Sequence, residues 1–220
     1  MTNVILYEFV QKDGYCMEDL VNSFSQIVPE DVQGVIVHEY DDKFLKATYW
    51  KKAIKREYRY ILENQNFETI EHEIIEATDF GIEIEDKKLL VFGNKQAAQR
   101  IITLIGIVSK NSYIISDYMV DIEKLVKRIC EKENVELLKM RLKDISLEKG
   151  VLVNCSINLA TQDEPKQLAL KYIKNIVVVS FRLSKIPANV SIYRNGKFSV
   201  SKISDEEKDE MVKKIIEIIY

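Results

Sequence analysis

Two groups of basic and aromatic residues are the part of this 220-residue sequence best suited to binding chemistry. The first group surrounds an Asn-Gly turn near the C-terminus. Its members are Phe181, Arg182, Lys185, Tyr193, Arg194, Lys197, Phe198 and Lys202. Aromatic rings flanked by cations can stack on bases and hold phosphates. The alternative is that Tyr193 and Phe198 pack in the core, as aromatic residues of strands usually do, while the cations are solvated.

The second group interleaves cations with aromatic rings between residues 46 and 60. Its members are Lys46, Tyr49, Trp50, Lys51, Lys52, Lys55, Arg56, Tyr58, Arg59 and Tyr60. This pattern suits single-stranded nucleic acid or an acidic protein surface. Trp50 is the only tryptophan, and tryptophan is a frequent anchor at protein interfaces. The same pattern is also typical of an amphipathic strand or helix with one solvated face.

Two acid-x-lysine groupings raise the possibility of metal-dependent nuclease chemistry. They are Asp41-Asp42-Lys43 and the set Glu83, Glu85 and Lys87. In such nucleases carboxylates bind Mg²⁺ while a lysine orients the attacking water. Each grouping lies at a predicted turn, where charged residues are common for conformational reasons.

Histidines and cysteines give no further site. His38 and His72 have no Cys or His at metal-ligand spacing, and Cys16, Cys130 and Cys155 form no CxxC pair. The sequence has no glycine-rich phosphate loop, GxSxG elbow or HExxH motif. We therefore expect a non-catalytic protein without cofactor or metal, in the reducing environment of the cytoplasm.

Composition narrows the class of partner. The net charge is −3 with 30% charged residues, so no global attraction to DNA or to an anionic membrane is expected, although a local basic face is compatible with it. The apolar run at the N-terminus is too short for a membrane span. The expected partner is a nucleic acid or a protein, including a second copy of the chain, and not a membrane.

The clearest predicted elements lie at the C-terminus. Asn195-Gly196 predicts a two-residue type I′ turn, which places Tyr193 opposite Phe198 and Arg194 opposite Lys197. Ser204 and Glu207 have the spacing of a capping box at the start of a helix. The apolar face of that helix consists of Met211, Val212, Ile215, Ile216 and Ile219.

Elsewhere the pattern alternates between strands and helices. Residues 44–79 are predicted as a set of strands. Asn94 is predicted to cap a helix that reaches Val108, and Ser116 to cap another that ends near residue 134. The order strand, helix, strands, hairpin, helix occurs twice. We expect an α+β fold of two similar halves, residues 1–112 and 113–220, each a curved antiparallel sheet backed by helices; the halves can also form one continuous domain.

The second half resembles the repeat of the TATA-box-binding protein family. The family's order of a YRM strand, a strand ending in LIFxSGK, a short strand and a long helix is similar to Phe181-Arg182-Leu183 followed by Ile192-Tyr193-Arg194-Asn195-Gly196-Lys197. In the first half, KLLVFGNK at residues 88–95 is similar to the family segment KIVLTGAK. The resemblance implies a curved sheet backed by helices, and it implies DNA bending through the minor groove.

Taken together, these patterns predict a non-catalytic binding protein whose basic and aromatic sheet surface binds nucleic acid. The candidate binding residues are Trp50, Lys51, Lys52, Arg56, Phe181, Arg182, Tyr193, Arg194, Lys197 and Phe198. The alternative is a protein-interaction subunit or inhibitor, and a third hypothesis is a Mg²⁺-dependent nuclease.

Overall fold

Antiparallel strands and five α-helices are assigned in a computed structural model that describes residues 1–12, 14–26, 32–63, 65–184, 188–201 and 207–220. The predicted α+β class is therefore confirmed. The chain divides into two units: an N-terminal unit, Tyr7–Ser116, and a C-terminal unit, which combines Met1–Leu6 with Asp117–Tyr220. None of the helices in the described ranges is both long enough and apolar enough to cross a membrane.

The N-terminal unit contains six strands and two helices. They are β1 (Thr2–Gln11, in this unit from Tyr7 onward), α1 (Met17–Ser25), β2 (Gln33–Tyr40), β3 (Phe44–Ile61), β4 (Asn66–Glu83), β5 (Lys88–Val91), α2 (Lys95–Val108) and β6 (Tyr113–Asp117). The strands follow the order β2-β3-β4-β5-β1, and β6 also pairs with β1. The prediction of strands over residues 44–79 is confirmed by β3 and β4.

Alternation along β3 and β4 builds the core of this unit. Leu45 and Ala47 of β3 are buried, and their cross-strand partners Ile82 and Phe80 are buried on the same face. Phe24 of α1 packs edge-on against Phe80, with ring centroids 6.2 Å apart. The predicted cap of α2 is confirmed, because the Asn94 side chain accepts a hydrogen bond from the backbone N–H of residue 97.

Strands β3 and β4 continue well past their neighbours. Each has 18 residues, and they pair without a register shift from Phe44 opposite Glu83 to Ile61 opposite Asn66. The pairing of β2 stops opposite Lys51, and β5 pairs only with the last residues of β4. Residues 53–61 of β3 and residues 66–74 of β4 therefore form a two-stranded ribbon that no other described strand flanks, and we call it the arm.

The C-terminal unit contains three helices and a second set of strands. Its elements are α3 (Ile122–Glu131), β7 (Val135–Glu148), β8 (Val151–Asn158), α4 (Pro165–Lys171), β9 (Ile176–Leu183), β10 (Asn189–Tyr193), β11 (Lys197–Val200) and α5 (Lys208–Ile219). The strand order is β8-β7-β9-β10-β11, and β11 pairs with the first residues of β1. The predicted apolar face of α5 is buried at all five positions. Ser204 of the predicted capping box lies outside the described residues.

The predicted start of α3 is wrong by five residues. Ser116 belongs to β6, and the helix begins after Asp121, whose side chain accepts a hydrogen bond of 3.0 Å from the backbone N–H of Lys124. Residues 113–117 include two β-branched isoleucines, which favour a strand. The helical apolar period starts only at Ile122, so the aspartate directly before it is the better cap.

The predicted two-residue hairpin turn is also wrong. Phe198 pairs with Ile192 and not with Tyr193, so three residues, 194–196, connect the strands. Only Gly196 of the three has a positive φ, +76°, whereas a type I′ turn needs two such residues. A three-residue loop with glycine in the left-handed position is the next most common solution.

Gly196 is expected to be the least replaceable residue of this loop. An added Cβ would lie 2.5 Å from the backbone oxygen of Tyr118, in addition to the strain of the positive φ. We expect Gly196→Ala to lower the free energy of unfolding by more than about 2 kcal/mol. Urea denaturation measures this change.

Gly150→Ala is the matched control, since Gly150 has a φ of +83° but no atom within 4 Å of an added Cβ. It should lose only about 1 kcal/mol, from backbone strain alone. Equal losses in the two variants would contradict the described packing of the loop.

Candidate functional site

The most exposed apolar surface of the N-terminal unit lies on one face of the arm. Ile54, Tyr58 and Tyr60 of β3 project from this face, together with Phe67 of β4. Tyr58 is 75% exposed and Phe67 is 59% exposed. We call this surface the aromatic face. Ile75, at the base of the arm, extends it and is 66% exposed.

Three rings of the aromatic face contact one another. Phe67 lies directly opposite Tyr60, with ring centroids 5.1 Å apart, and diagonal to Tyr58, with centroids 6.2 Å apart. Aromatic cross-strand pairs stabilise a hairpin by burying ring surface against each other. The outer surface of the three-ring cluster remains open to solvent and is available to a partner.

The cations of the aromatic face are paired with carboxylates of the neighbouring strand. Arg56 Nε donates to Glu71 Oε1 at 2.7 Å, and Lys52 Nζ lies 3.3 Å from Glu73 Oε1. Residues 51–76 contain five Lys and Arg and six Glu, so this segment carries a net charge of −1 with His72 neutral. The face therefore presents apolar rings between neutralised charges and not a basic patch.

The reverse face of the arm has a carboxylate between two cations of its own strand. Lys55 Nζ and Arg59 Nη2 each lie 2.9 Å from the carboxylate oxygens of Glu57. Hydrogen bonds from Lys55 and then from Arg59 lower the pKa of the Glu57 carboxyl to about 2. Side chains two residues apart lie on the same face of a strand, so this trio follows directly from the strand period.

The outer edge of β3 is the third feature of the arm. The backbone N–H of Lys52 donates to Val32 O on the side of β2. Because these groups alternate along an antiparallel strand, the N–H and C=O groups of Ile54, Arg56, Tyr58 and Tyr60 point the same way. No described strand pairs with them.

Four predicted site residues lie on β3. Trp50, Lys51 and Lys52 are half-buried at the base of the arm, and Arg56 is exposed within it. The Trp50 indole covers Gly34 of β2, where an added Cβ would lie 2.8 Å from Trp50 Nε1. Trp50 therefore packs on its own sheet.

Of the six predicted site residues of the C-terminal unit, two are fully buried, three are half-buried and one is exposed. Phe181 and Phe198 are fully buried and have no exposed surface, and their part in binding stays a prediction. Both alternate with polar neighbours, and the strand period places them on the core side. Arg182 is exposed and donates to Asn189 at 3.1 Å and to Glu136 at 3.2 Å.

Tyr193, Arg194 and Lys197 lie around the three-residue loop. Lys197 Nζ is 5.4 Å from the centroid of the Tyr193 ring, a cation–π distance. The Arg194 guanidinium donates to the carbonyl oxygen of Ile176 at 3.0 Å. Arg194 thus ties the loop to the start of β9, and the two predicted groups lie in different units. Lys185 and Lys202 lie outside the described residues.

The two acid-x-lysine groupings meet at neighbouring turns. Lys43 Nζ lies 2.7 Å from Glu85 Oε1, and Asp41 Oδ1 accepts the backbone N–H groups of Lys43 and Phe44. These carboxylates act as a turn cap and an ion-pair partner. In the part of the chain that the structure describes, no three His, Cys, Asp or Glu side chains are grouped to hold a metal ion.

Sequence reasoning missed Phe67 and Glu57. The available signals were the polar run Glu-Asn-Gln-Asn at residues 63–66, which divides two alternating stretches, and the Lys-x-Glu-x-Arg spacing at residues 55–59. Comparison with models of known protein families gives no match, and no curated protein sequence matches the chain.

The Glu57 carboxyl should titrate with a pKa of about 2, measured by ¹³C NMR of the side-chain carboxyl carbon. Removing both donors with Lys55→Met and Arg59→Met should return the pKa to about 4.3. The lowered pKa stabilises the folded arm above the unfolded-state pKa, and this contribution is lost as the pH falls toward 2. Lys52→Met, on the opposite face, is the control and should leave the pKa of Glu57 unchanged. If the pKa of Glu57 also stays unchanged after Lys55→Met and Arg59→Met, the described contacts of Glu57 with Lys55 and Arg59 are contradicted.

Proposed function

We propose that this protein is a protein-interaction subunit that binds its partner through the aromatic face and outer edge of the arm. The observation that carries the proposal is the exposed Tyr58, Tyr60 and Phe67 cluster on a two-stranded ribbon that no third described strand flanks. Clustered exposed aromatic residues of this kind are typical of interfaces.

Energetics support the same proposal. A two-stranded hairpin is at best marginally stable in water, because it lacks a core of its own. Full burial of one large apolar side chain stabilises by about 1.5–3 kcal/mol, and the arm offers several. A partner that packs against these rings or pairs with the outer edge would therefore stabilise both the complex and the arm itself.

Nucleic-acid binding stays a prediction, and the ion pairs of the predicted binding cations favour it less than they favour protein binding. Affinity for nucleic acid comes mainly from cations that replace counterions on phosphates. Arg56 and Lys52 on the arm, and Arg182 in the C-terminal unit, each contact a carboxylate at 3.3 Å or closer. A phosphate would have to compete with those carboxylates.

We retain as a proposal that the chain consists of two similar halves related to the TATA-box-binding-protein repeat. Its support is the order of elements: β1-α1-β2-β3-β4-β5-α2 in the first part, and β7-β8-α4-β9-β10-β11-α5 in the second. Each series ends in strands followed by a helix that buries several apolar residues.

A photocrosslinking amino acid at position 58 tests the interface in cells that produce the protein. We expect one dominant crosslinked protein, which can be this chain or another, and none at position 170, since Leu170 is exposed on α4 of the other unit. The purified partner should bind the double variant Tyr58→Ser, Phe67→Ser at least about tenfold more weakly, because two ring contacts are lost. Equal crosslinking at positions 58 and 170 would contradict the proposal.

Nucleic-acid binding is tested by fluorescence anisotropy with labelled single- and double-stranded 20-mers at low salt. We expect a dissociation constant no tighter than about 10⁻⁵ M, since paired cations release few counterions. Tight binding that weakens steeply with rising salt concentration, and that Arg56→Gln abolishes, would make nucleic-acid binding the better-supported function.

A further inference from the structure

We infer that the partner of the arm is a second copy of this chain, paired strand to strand through the outer edge of β3 with Tyr58 on the two-fold axis. This inference rests on the proposed function and names the partner of that same site. An exposed strand edge is a template for another strand, because its N–H and C=O groups are ready to pair.

The geometry of β3 restricts how two copies can pair. A two-fold axis perpendicular to the ribbon makes the strands antiparallel and places equal numbers of residues on either side of the axis. Each possible register is then identified by the one residue that lies opposite the same residue of the other copy. The outward groups of residues 56, 58 and 60 can all hydrogen-bond when Tyr58 lies on the axis.

Charge selects one register. With Tyr58 on the axis, Glu57 of each copy lies opposite Arg59 of the other, so two attractive pairs form. Arg56 lies opposite Tyr60 of the other copy, where its guanidinium can stack on the ring. The side chains keep their faces, so the two aromatic faces join into one four-stranded surface around the paired Tyr58 rings.

Every other centre from residue 54 to residue 59 places like charges opposite each other. Centres at 55, 56, 57 and 59 put a charged side chain opposite its own copy, and a centre at 54 puts Lys52 opposite Arg56. A centre at 60 leaves only residues 59–61 to pair, because β3 ends at Ile61. Directly opposed like charges destabilise a strand pair.

The edge of β4 is a poorer choice for self-pairing. It carries Glu68, Glu71, Glu73 and Glu76 without a Lys or Arg between residues 66 and 83. Two copies of such a strand would repel each other. The interface through β3 is short, so we expect a reversible dimer and not an obligate one.

Disulfide trapping tests the register. Paired residues of this kind have Cα atoms about 5.5 Å apart, which suits a disulfide. Under oxidation Tyr58→Cys should form a crosslinked dimer at least about tenfold faster than Arg56→Cys or Tyr60→Cys alone, since those positions lie about 13 Å from their own copies. A mixture of Arg56→Cys and Tyr60→Cys should crosslink as fast as Tyr58→Cys. The wild-type chain, with its three native cysteines, gives the background rate.

Charge exchange tests the same register without cysteine. Glu57→Arg and Arg59→Glu alone should each weaken dimerisation by roughly tenfold in analytical ultracentrifugation, and the double exchange should restore it. Glu210→Arg breaks an exposed ion pair with Lys214 on α5, outside the arm, and is expected to leave dimerisation unchanged.

The outcomes separate the two proposals. A monomer at all concentrations whose position 58 crosslinks to a different protein overturns the self-pairing and leaves the proposed function standing. A monomer with no crosslink at position 58 overturns both. Crosslinking of Arg56→Cys alone at the rate of Tyr58→Cys overturns the register, and with it this inference.

Discussion

The uninterrupted pairing of β3 with β4 is the constraint on which the candidate site depends. Eighteen residue pairs follow one another without a bulge, so every side chain of the arm has a fixed face. A one-residue slip would move Tyr58 and Tyr60 to the reverse face and separate Arg56 from Glu71. The same pairing continues at its base into the buried Leu45 and Ile82, and the core thereby sets the register of the exposed arm.

Charge pairing within the arm determines what kind of partner it suits. On the aromatic face the cations are held by glutamates of the neighbouring strand, and on the reverse face Glu57 is held by Lys55 and Arg59. Exposed ion pairs contribute little stability individually. Their larger consequence is that the net charge of the arm stays close to zero while the arm presents apolar rings and open backbone groups. Such a surface suits a protein strand better than a phosphate backbone.

Local sequence patterns predicted an element well where one apolar periodicity or one capping residue determines that element. The cap at Asn94, the apolar face of α5 and the strands of residues 44–79 follow from signals within a few residues. The turn at Asn195-Gly196 was wrong because the loop length is fixed by the pairing of Ile192 with Phe198, which depends on the core and not on the turn residues.

The candidate site was harder to predict for the same reason. Taken alone, the run of cations at residues 51–59 indicates a basic surface. In the fold, β4 places Glu71 and Glu73 beside these cations, although the two glutamates lie some 15 to 21 residues away in sequence from the cations they contact. Phe67 likewise joins Tyr58 and Tyr60 only through cross-strand register. Sequence reveals the composition of a strand face, whereas its net charge and its ring clusters are properties of the pair of strands.

Hydrogen exchange of the β3 amides at varied protein concentration tests the central claim most directly. The amides of Lys55, Glu57 and Arg59 point toward β4, so their exchange should not depend on concentration. The amides of Arg56, Tyr58 and Tyr60 point outward within the paired stretch, and self-pairing predicts that their exchange slows at least about tenfold as the concentration rises through the dimerisation range. Outward amides that exchange at one fast rate at every concentration would contradict the account.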